Sequence, residues 1–346
     1  MLANPDYLRH RTAMMSDPLS DMLTLLNARC LMSGGFYAGE DWALRFPKPS
    51  AIKCGAIVKG SCWLQIEGQR EPVYLEAGDV MLFDGRNPFV LASDLAIEPV
   101  DAISVFRDRV DRIAYVGPGE DFFYLGGHVA VDATAVDLLL DVLPPLIHIR
   151  AGSTEAVVLR WVLDQLYREM IADRPGSVVA SRQLAQLMFV QVLRTHIEGS
   201  DLSVGWLKAI GDTQIAPALR MMHSEPGHNW QLGELAKAVG MSRTTFALRF
   251  KTVTGVAPLT YLIAWRMRLA ERALREGSVP VSALAFQLGY TSESAFSNAF
   301  KRVMGQAPKR YRTSTQHDVE EDEQQAETGG PVIVAPAKYG RLQMAS

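Results

Sequence analysis

"FALRFKTVTGVAPLTY" at residues 246–261 and "FSNAFKRVMGQAPKRY" at residues 296–311 agree at eight of sixteen positions: two Phe, then Lys, Val, Gly, Ala, Pro and Tyr. One chain has written the same piece twice. Upstream of the first copy, Leu232, Leu235, Ala236 and Val239 recur at helical spacing. Gly240 then stands where a left-handed C-terminal residue is wanted, and Ser242 is a good N-cap for a following helix. The second copy repeats the plan with Leu284, Ala285 and Leu288, then Gly289, then Ser292 four residues ahead of Phe296. Helix, glycine turn and helix make a helix-turn-helix layout, present twice. The offset between copies is 49 up to the glycine and 50 from the cap onward, so the extra residue falls in the turn and disturbs no packing.

Between the copies, Pro258 suits a helix start and Gly277 a stop, which predicts a stiff helical strut joining two similar heads. Rigid spacing suits a ligand that repeats, as the major groove of B-DNA does with each turn. Within each copy the Phe pair and the Val that follows (Phe246, Phe250, Val253; Phe296, Phe300, Val303) are predicted core. Stepping 100° per residue, the opposite face carries Thr244, Ala247, Leu248 and Lys251 in the first helix, and Ser294, Ser297, Asn298 and Lys301 in the second. Small, polar and basic side chains are what a groove accepts. A helix rotated by one residue would instead bring Arg243 or Arg249 forward.

Charge supports this reading. The chain of 346 residues carries a net charge of only −3, but residues 205–312 hold fifteen Lys/Arg against six Asp/Glu. An acidic module is joined to a basic one, the footprint expected for phosphate recognition. Length argues for about two domains. Asp6, Arg9, His10 and Arg11 interrupt any apolar leader, and no apolar run reaches a membrane span, so the expected compartment is the cytoplasm, with no membrane partner. Cys30, Cys54 and Cys62 lack zinc-ligand spacing and read as reduced, buried thiols.

The segment from about Trp206 to Arg312 resembles the DNA-binding domain of AraC/XylS-family transcription regulators, with "FKRVMGQAPKRYR" (300–312) close to that family's end signature. The resemblance implies two subdomains with recognition helices at Arg243–Thr252 and Glu293–Arg302. It places family contact positions on Thr244, Ala247 and Leu248, and on Glu293, Ser294, Ser297 and Asn298. Leu248 stands where many members have Arg, which puts strong guanine contact from the first helix in doubt.

From Ala51 the texture changes to short apolar runs broken by Gly. Lys59-Gly60 reads as a tight hairpin and Ala77-Gly78-Asp79 as a further turn, in a small barrel or sandwich. "KGSCWLQIEGQREPVYLEAGDVMLF" (59–83) resembles the cupin-type effector domain found ahead of the DNA-binding domain in one branch of the same family, over roughly Leu19 to Ala130. Cupin enzymes hold metal with clustered histidines, yet no histidine occurs between Arg11 and Gly127. His128 and His148 are expected outside the barrel strands as ordinary polar residues. The expectation is therefore no catalytic residue, no metal, no cofactor and no enzyme, against the rival of a metal-dependent cupin enzyme with a DNA-binding appendix. Trp63 reads as plain core or as a pocket wall. Inward-facing residues, and hence any effector-binding ones, are not assignable without knowing which strand face points in.

The expected fold class is α+β: an N-terminal arm (1–18), a cupin-like sensor barrel (19–130), a helical linker and dimerisation region (131–204), an all-α double helix-turn-helix domain (205–312) and an acidic, disordered tail (313–346). Leu184, Leu187, Met188, Phe189, Val192, Leu193 and Ile197 make one linker segment apolar nearly all round, either buried in its own domain or facing a second subunit. Expected partners are double-stranded DNA, a small-molecule effector, a second copy of the chain and, for an activator, RNA polymerase.

Overall fold

A computed structural model describes residues 17–107, 112–154, 156–172, 174–199, 202–277 and 279–314. Nearly all of the expected tail and arm lie outside the described residues; Thr313 and Ser314, placed at the start of the tail, are helical. The chain forms two compact units: the described residues up to Ser224 together with Trp230–Thr260, and Glu225–Asn229 together with the residues from Tyr261 onward.

The first unit opens with α1 (Pro18–Leu25), capped by the Asp17 carboxylate, which accepts from Ser20 N at 3.0 Å. Eleven strands follow among the described residues: β1 (Arg29–Ala38), β2 (Ala43–Phe46), β3 (Ile52–Lys59), β4 (Ser61–Ile66), β5 (Val73–Glu76), β6 (Val80–Phe83), β7 (Phe89–Ala92), β8 (Val100–Asp101), β9 (Ile113–Val116), β10 (Phe122–Ala130) and β11 (Leu146–Ile149). They form one sheet in the order β11-β6-β3-β10-β1-β9 and another in the order β5-β4-β7-β2-β8. Their inner faces share a core of Phe36, Trp42, Leu44, Ile57, Leu64 and Leu91 with their neighbours. The mixture of sheet and helix is the α+β fold that the sequence predicts.

Lys59-Gly60 is not a hairpin. β3 belongs to the six-stranded sheet and β4 to the five-stranded one, so the chain turns a corner between sheets there. Gly60 has φ +78°, and a Cβ on it would meet the Asp121 carbonyl oxygen at 2.6 Å, so the corner demands glycine for conformation and for space. A strand–Gly–strand pattern reports a change of direction without saying whether the two strands pair. Ala77-Gly78-Asp79 is a turn as expected, and it too passes from one sheet to the other.

Two expectations about single residues also change. His128 lies on β10 and His148 on β11, both within the six-stranded sheet rather than outside the strands. Trp63 faces away from the barrel core, against Tyr74 with ring centroids 4.9 Å apart. Cys62, Leu64 and Ile66 take the inner positions of β4, and alternation sends Trp63 outward.

Beyond the strands lie α2 (Ala102–Arg107), α3 (Val136–Leu140), α4 (Ala156–Ile171) and α5 (Ser177–Glu198). The last two pack together, α5 also on β1 and β11 and α4 on β3. Gln186 of α5 clips the sheet edge: its Oε1 accepts from Cys30 N at 2.9 Å and its Nε2 donates to Ala28 O at 3.2 Å. α5 buries Ala185, Met188, Phe189, Val192 and Leu193, one face rather than its whole circumference. Next come α6 (Trp206–Gly211), α7 (Ala216–Ser224), α8 (Leu232–Ala238) and α9 (Arg243–Thr254). α1 packs on α6 and α7, and Trp206 Nε1 donates to Leu138 O at 2.7 Å.

The second unit contains most of α10 (Pro258–Arg275), then α11 (Val281–Gln287) and α12 (Glu293–Met304). Its core joins Met267, Leu274, Leu284, Leu288, Phe296 and Phe300. Two buried charged side chains of α10 have their polar groups satisfied by hydrogen bonds. Arg266 donates to Pro226 O at 2.6 Å and His228 O at 2.8 Å, while Glu271 accepts from Tyr311 Oη at 2.8 Å and Arg268 Nη1 at 3.0 Å.

Candidate nucleic-acid interface

α9 and α12 begin and end by the same local chemistry. Ser242 Oγ accepts from Thr245 N at 3.2 Å, and Ser292 Oγ accepts from Ala295 N at 3.1 Å. Gly255 (φ +84°) and Gly305 (φ +79°) close the C-termini by donating back to the carbonyls of Lys251 and Lys301. Both helices therefore run two residues past the expected ends, to Thr254 and Met304, because the left-handed glycine is the stop. Phe246, Phe250, Phe296 and Phe300 are fully buried, with Val253 buried and Val303 partly so, as the spacing predicts.

Burying that stripe turns the opposite face outward. On α9, Arg243, Thr244, Leu248 and Lys251 are exposed and Ala247 is half-buried; Leu248 is 68% exposed, a large apolar side chain left in water. On α12, Ser294, Asn298 and Lys301 are exposed, with Glu293 and Ser297 half-buried. Among the described residues, the side chains of Asn298, Ser294 and Lys301 make no hydrogen bond or ion pair, so their donors and acceptors are unspent. Glu293 is different: its carboxylate lies 3.4 Å from Lys309 Nζ, a surface pair of small energetic weight.

The two arginines of the rotated alternative have other positions. Arg249 Nη2 donates to Asp212 Oδ2 at 2.8 Å, which ties it back toward the turn between α6 and α7. Arg243 lies over α8, where a Cβ on Gly233 would come within 2.7 Å of its Nε. Sequence reasoning missed the Arg249–Asp212 pair, whose partners are separated by 37 positions with no local signal.

The barrel contains a second candidate site, a cavity of about 670 Å³. Phe46, Phe89, Phe106 and Tyr124 line it together with Lys48, Lys53 and Arg107. Trp63 is not among its lining residues. The lining residue Ser33 is internally paired, its Oγ 3.0 Å from His128 Nδ1, and on the strand β11 His148 Nε2 lies 2.8 Å from Asp79 Oδ2. Among the described residues no three His, Cys, Asp or Glu side chains gather as a metal site would require. No helix among them is long and apolar enough to cross a membrane.

Two family models match the chain: Cupin over residues 17–198 and Helix-turn-helix domain over residues 235–314. A relative from Streptomyces antibioticus, named an AraC-like transcription regulator, is 42% identical over 297 residues, covering 86% of this chain and 98% of its own. The HTH-type transcriptional regulator AlkR of Acinetobacter baylyi is 30% identical over 282 residues, covering 79% of this chain and 91% of its own. Among solved structures, the DNA-binding domain of AdpA in complex with a target DNA matches at 31% identity and a TM-score of 0.29, covering 30% of this chain and 93% of that one. With a duplicated helix-turn-helix behind a cupin barrel, and with these relatives along nearly its full length, the chain belongs to the AraC-like family of DNA-binding transcription regulators.

Proposed function

We propose that the protein reads two successive major grooves through α9 and α12, and that a small molecule held in the barrel cavity controls it. The observation that carries the reading is the outward face of α12. Asn298, Ser294 and Lys301 stand exposed with unspent hydrogen-bonding groups, on a helix fixed from behind by Phe296 and Phe300. Asn can pair bidentately with adenine, Ser reaches base edges, and Lys meets phosphate. On α9, Ala247, Leu248 and Thr244 offer mainly apolar contact, suited to thymine methyl groups, with Lys251 on phosphate. An exposed leucine is costly in water and gains from a methyl-lined groove. The first head then reads a T-rich subsite and the second a subsite with a required adenine, about one turn apart.

α10 is unbroken from Pro258 to Arg275, about 27 Å at 1.5 Å per residue. Support for a homodimer comes from α4 and α5, which leave Val157, Val158, Trp161, Val178 and Val179 exposed. The division proposed is an arm to residue 18, a sensor barrel 19–130, a dimerisation region 131–204 and a DNA-binding domain 205–312. The protein acts in the cytoplasm, is not an enzyme, carries no catalytic metal and, if it activates transcription rather than represses it, contacts RNA polymerase.

Selection of bound duplexes from a random pool tests the readout. With Asn298→Ala, selectivity is expected to relax at one base position, at a cost of about 1–3 kcal/mol there. An unchanged preference at every position removes Asn298 from the readout. Elemental analysis of chelator-free protein tests the metal: one equivalent of iron, manganese, nickel or zinc after desalting overturns that part.

A further inference from the structure

We propose that the acidic run at residues 318–323 docks on the outward face of α12 as an intramolecular stand-in for DNA phosphate, and so weakens the hold on every duplex alike. This rests on the reading of α12 as a groove-entering helix and adds a regulator carried by the same chain.

Charge in the second unit is lopsided. Residues 261–312 hold nine Lys/Arg against three Asp/Glu. Each of those three acids already has a cation: Glu271 lies 3.0 Å from Arg268 Nη1, Glu276 lies 2.9 Å from Arg272 Nε, and Glu293 lies 3.4 Å from Lys309 Nζ. Lys301, Arg302 and Arg310 are exposed, and among the described residues none of them makes a hydrogen bond or ion pair. Ser294, Asn298 and Lys301 stand one above another on α12, at i, i+4 and i+7, and all three can donate. This face is equipped for oxygen anions, and no acid of residues 261–312 remains to meet it.

The chain supplies the anion a few residues later. Residues 318–323 read "DVEEDE", five acids in six positions. Carboxylates so closely spaced repel one another, and nearby cations relieve that repulsion. Residues beyond 314 lie outside the described ones, but the place from which they depart is set. After α12 the chain bends at 305–307 and comes back, so that Lys309 reaches Glu293 in the first turn of α12 and the Tyr311 ring packs on Phe300 at 5.6 Å. The backbone is helical from 308 to 314, which puts Ser314 only about 8 Å of helix rise beyond Lys309. From Ser314 the acids are four to nine residues on, a reach of about 14 Å to about 30 Å. α12 is about 18 Å long, so the run can lie over its outward face.

The physics makes this dock shallow and salt-sensitive. A tether of this length holds the acids at a local concentration of about millimolar. Surface ion pairs are individually weak, and charges farther apart than about 10 Å are screened at 0.1 M salt. Carboxylates on Lys301 and Arg310 read no bases. The fraction of protein with its face uncovered therefore scales the affinity for a chosen site and for a random duplex by the same factor.

The test compares the full-length protein with a full-length variant combining Asp318→Asn, Glu320→Gln, Glu321→Gln, Asp322→Asn and Glu323→Gln, with thermal melts to confirm equal folding. Anisotropy reads binding to a random duplex and to one selected duplex, between about 50 and 300 mM KCl. At the low end the variant is expected to bind both about tenfold more tightly, with the two proteins within about twofold at the high end. The wild-type salt slope should be shallower by about one, because displaced carboxylates take back counterions. Carbodiimide coupling, which joins a lysine amine to a carboxylate in contact with it, should link Lys301 or Lys309 to 318–323, and added duplex should suppress the product. Equal affinities at every salt concentration, a gain confined to one sequence, or coupling only to lysines elsewhere overturns the docking inference and leaves the DNA reading intact. If neither protein binds duplex at low salt, the DNA reading fails and this inference falls with it.

Discussion

Gly240 and Gly289 occupy the same place in the two copies, and the structure separates them. Each has a positive φ, +69° and +79°. A Cβ on Gly240 would meet nothing within 4 Å, whereas a Cβ on Gly289 would lie 2.3 Å from the Gly227 carbonyl oxygen and 3.0 Å from Arg266 Nη2. Gly240→Ala therefore carries only left-handed strain, about 1–2 kcal/mol, partly offset by the stiffer unfolded chain, for a net loss of about 1 kcal/mol. Gly289→Ala adds an overlap with backbone that cannot swing aside. Gly227 is itself wedged, since a Cβ there would sit 2.3 Å from Gln287 O. Overpacking of this kind costs a further 1–3 kcal/mol, which takes the total to about 3 kcal/mol.

Hydrogen exchange of the full-length variants, followed by mass spectrometry on peptides spanning 232–254 and 281–304, reads each motif separately. Gly240→Ala should lower protection of the first by about fivefold, and Gly289→Ala should lower protection of the second by about a hundredfold. The footprint of the second head on DNA should weaken alongside. Equal losses in the two motifs, or a larger loss for Gly240→Ala, would refute the packing argument.

Three further outcomes are expected. Lys251→Ala and Lys301→Ala should weaken binding to all duplexes alike and each reduce the salt slope by about one, measured by titration at several salt concentrations; a changed base preference would contradict the phosphate role. Cys30 and Cys54 touch at 3.2 Å and all three thiols are buried. That contact and burial raise the Cys30 pKa, and burial followed by the Asp79 charge raises that of Cys62, so a disulfide-exchange reagent at pH 8 should titrate the thiols only after denaturation. Burial alone would raise the Asp79 pKa, but hydrogen bonds to His148, Ala151 N and Glu76 N outweigh it and leave the value lowered. That stability is present above the unfolded pKa near 3.9 and is lost as pH falls through the lower folded value. Asp79→Asn should thus lower the melting temperature by a few degrees at pH 5–8, with the gap closing below about pH 4; a gap that persists in acid would assign the loss to something other than the charge.

The duplicated half was legible because its signals are local. A cap, a Phe pair four apart and a closing glycine each act within one or two turns of helix, so Ser242, Phe246, Phe250, Ser292, Phe296 and Phe300 take their predicted roles. The barrel was legible only as texture. Lys59-Gly60 gave the corner but not its partners, because pairing is decided by sheet positions far apart in sequence. His148 became a strand residue because β11 pairs with β6, more than sixty residues earlier.

Lys53 shows why the cavity stayed hidden. Along β3 the residues Lys53, Cys54, Gly55 and Ala56 give no clean alternation, since Gly55 is small on the inner face and Cys54 and Ala56 are apolar on the outer face under the helical layer. On β1 the register with β10 also slips between Met32 and Gly34, which exchanges the two faces in mid-strand. A pattern of period two cannot be carried across such a bulge. Only the register of β3 on β10, fixed by Tyr124 opposite Ile57, shows that the lysine of "AIKCGAIV" (51–58) points toward the phenyl rings rather than toward water. The site is thus encoded in pairings and not in a motif: a lysine two residues from a glycine has no meaning in sequence until the strand beside it sets a tyrosine over that glycine.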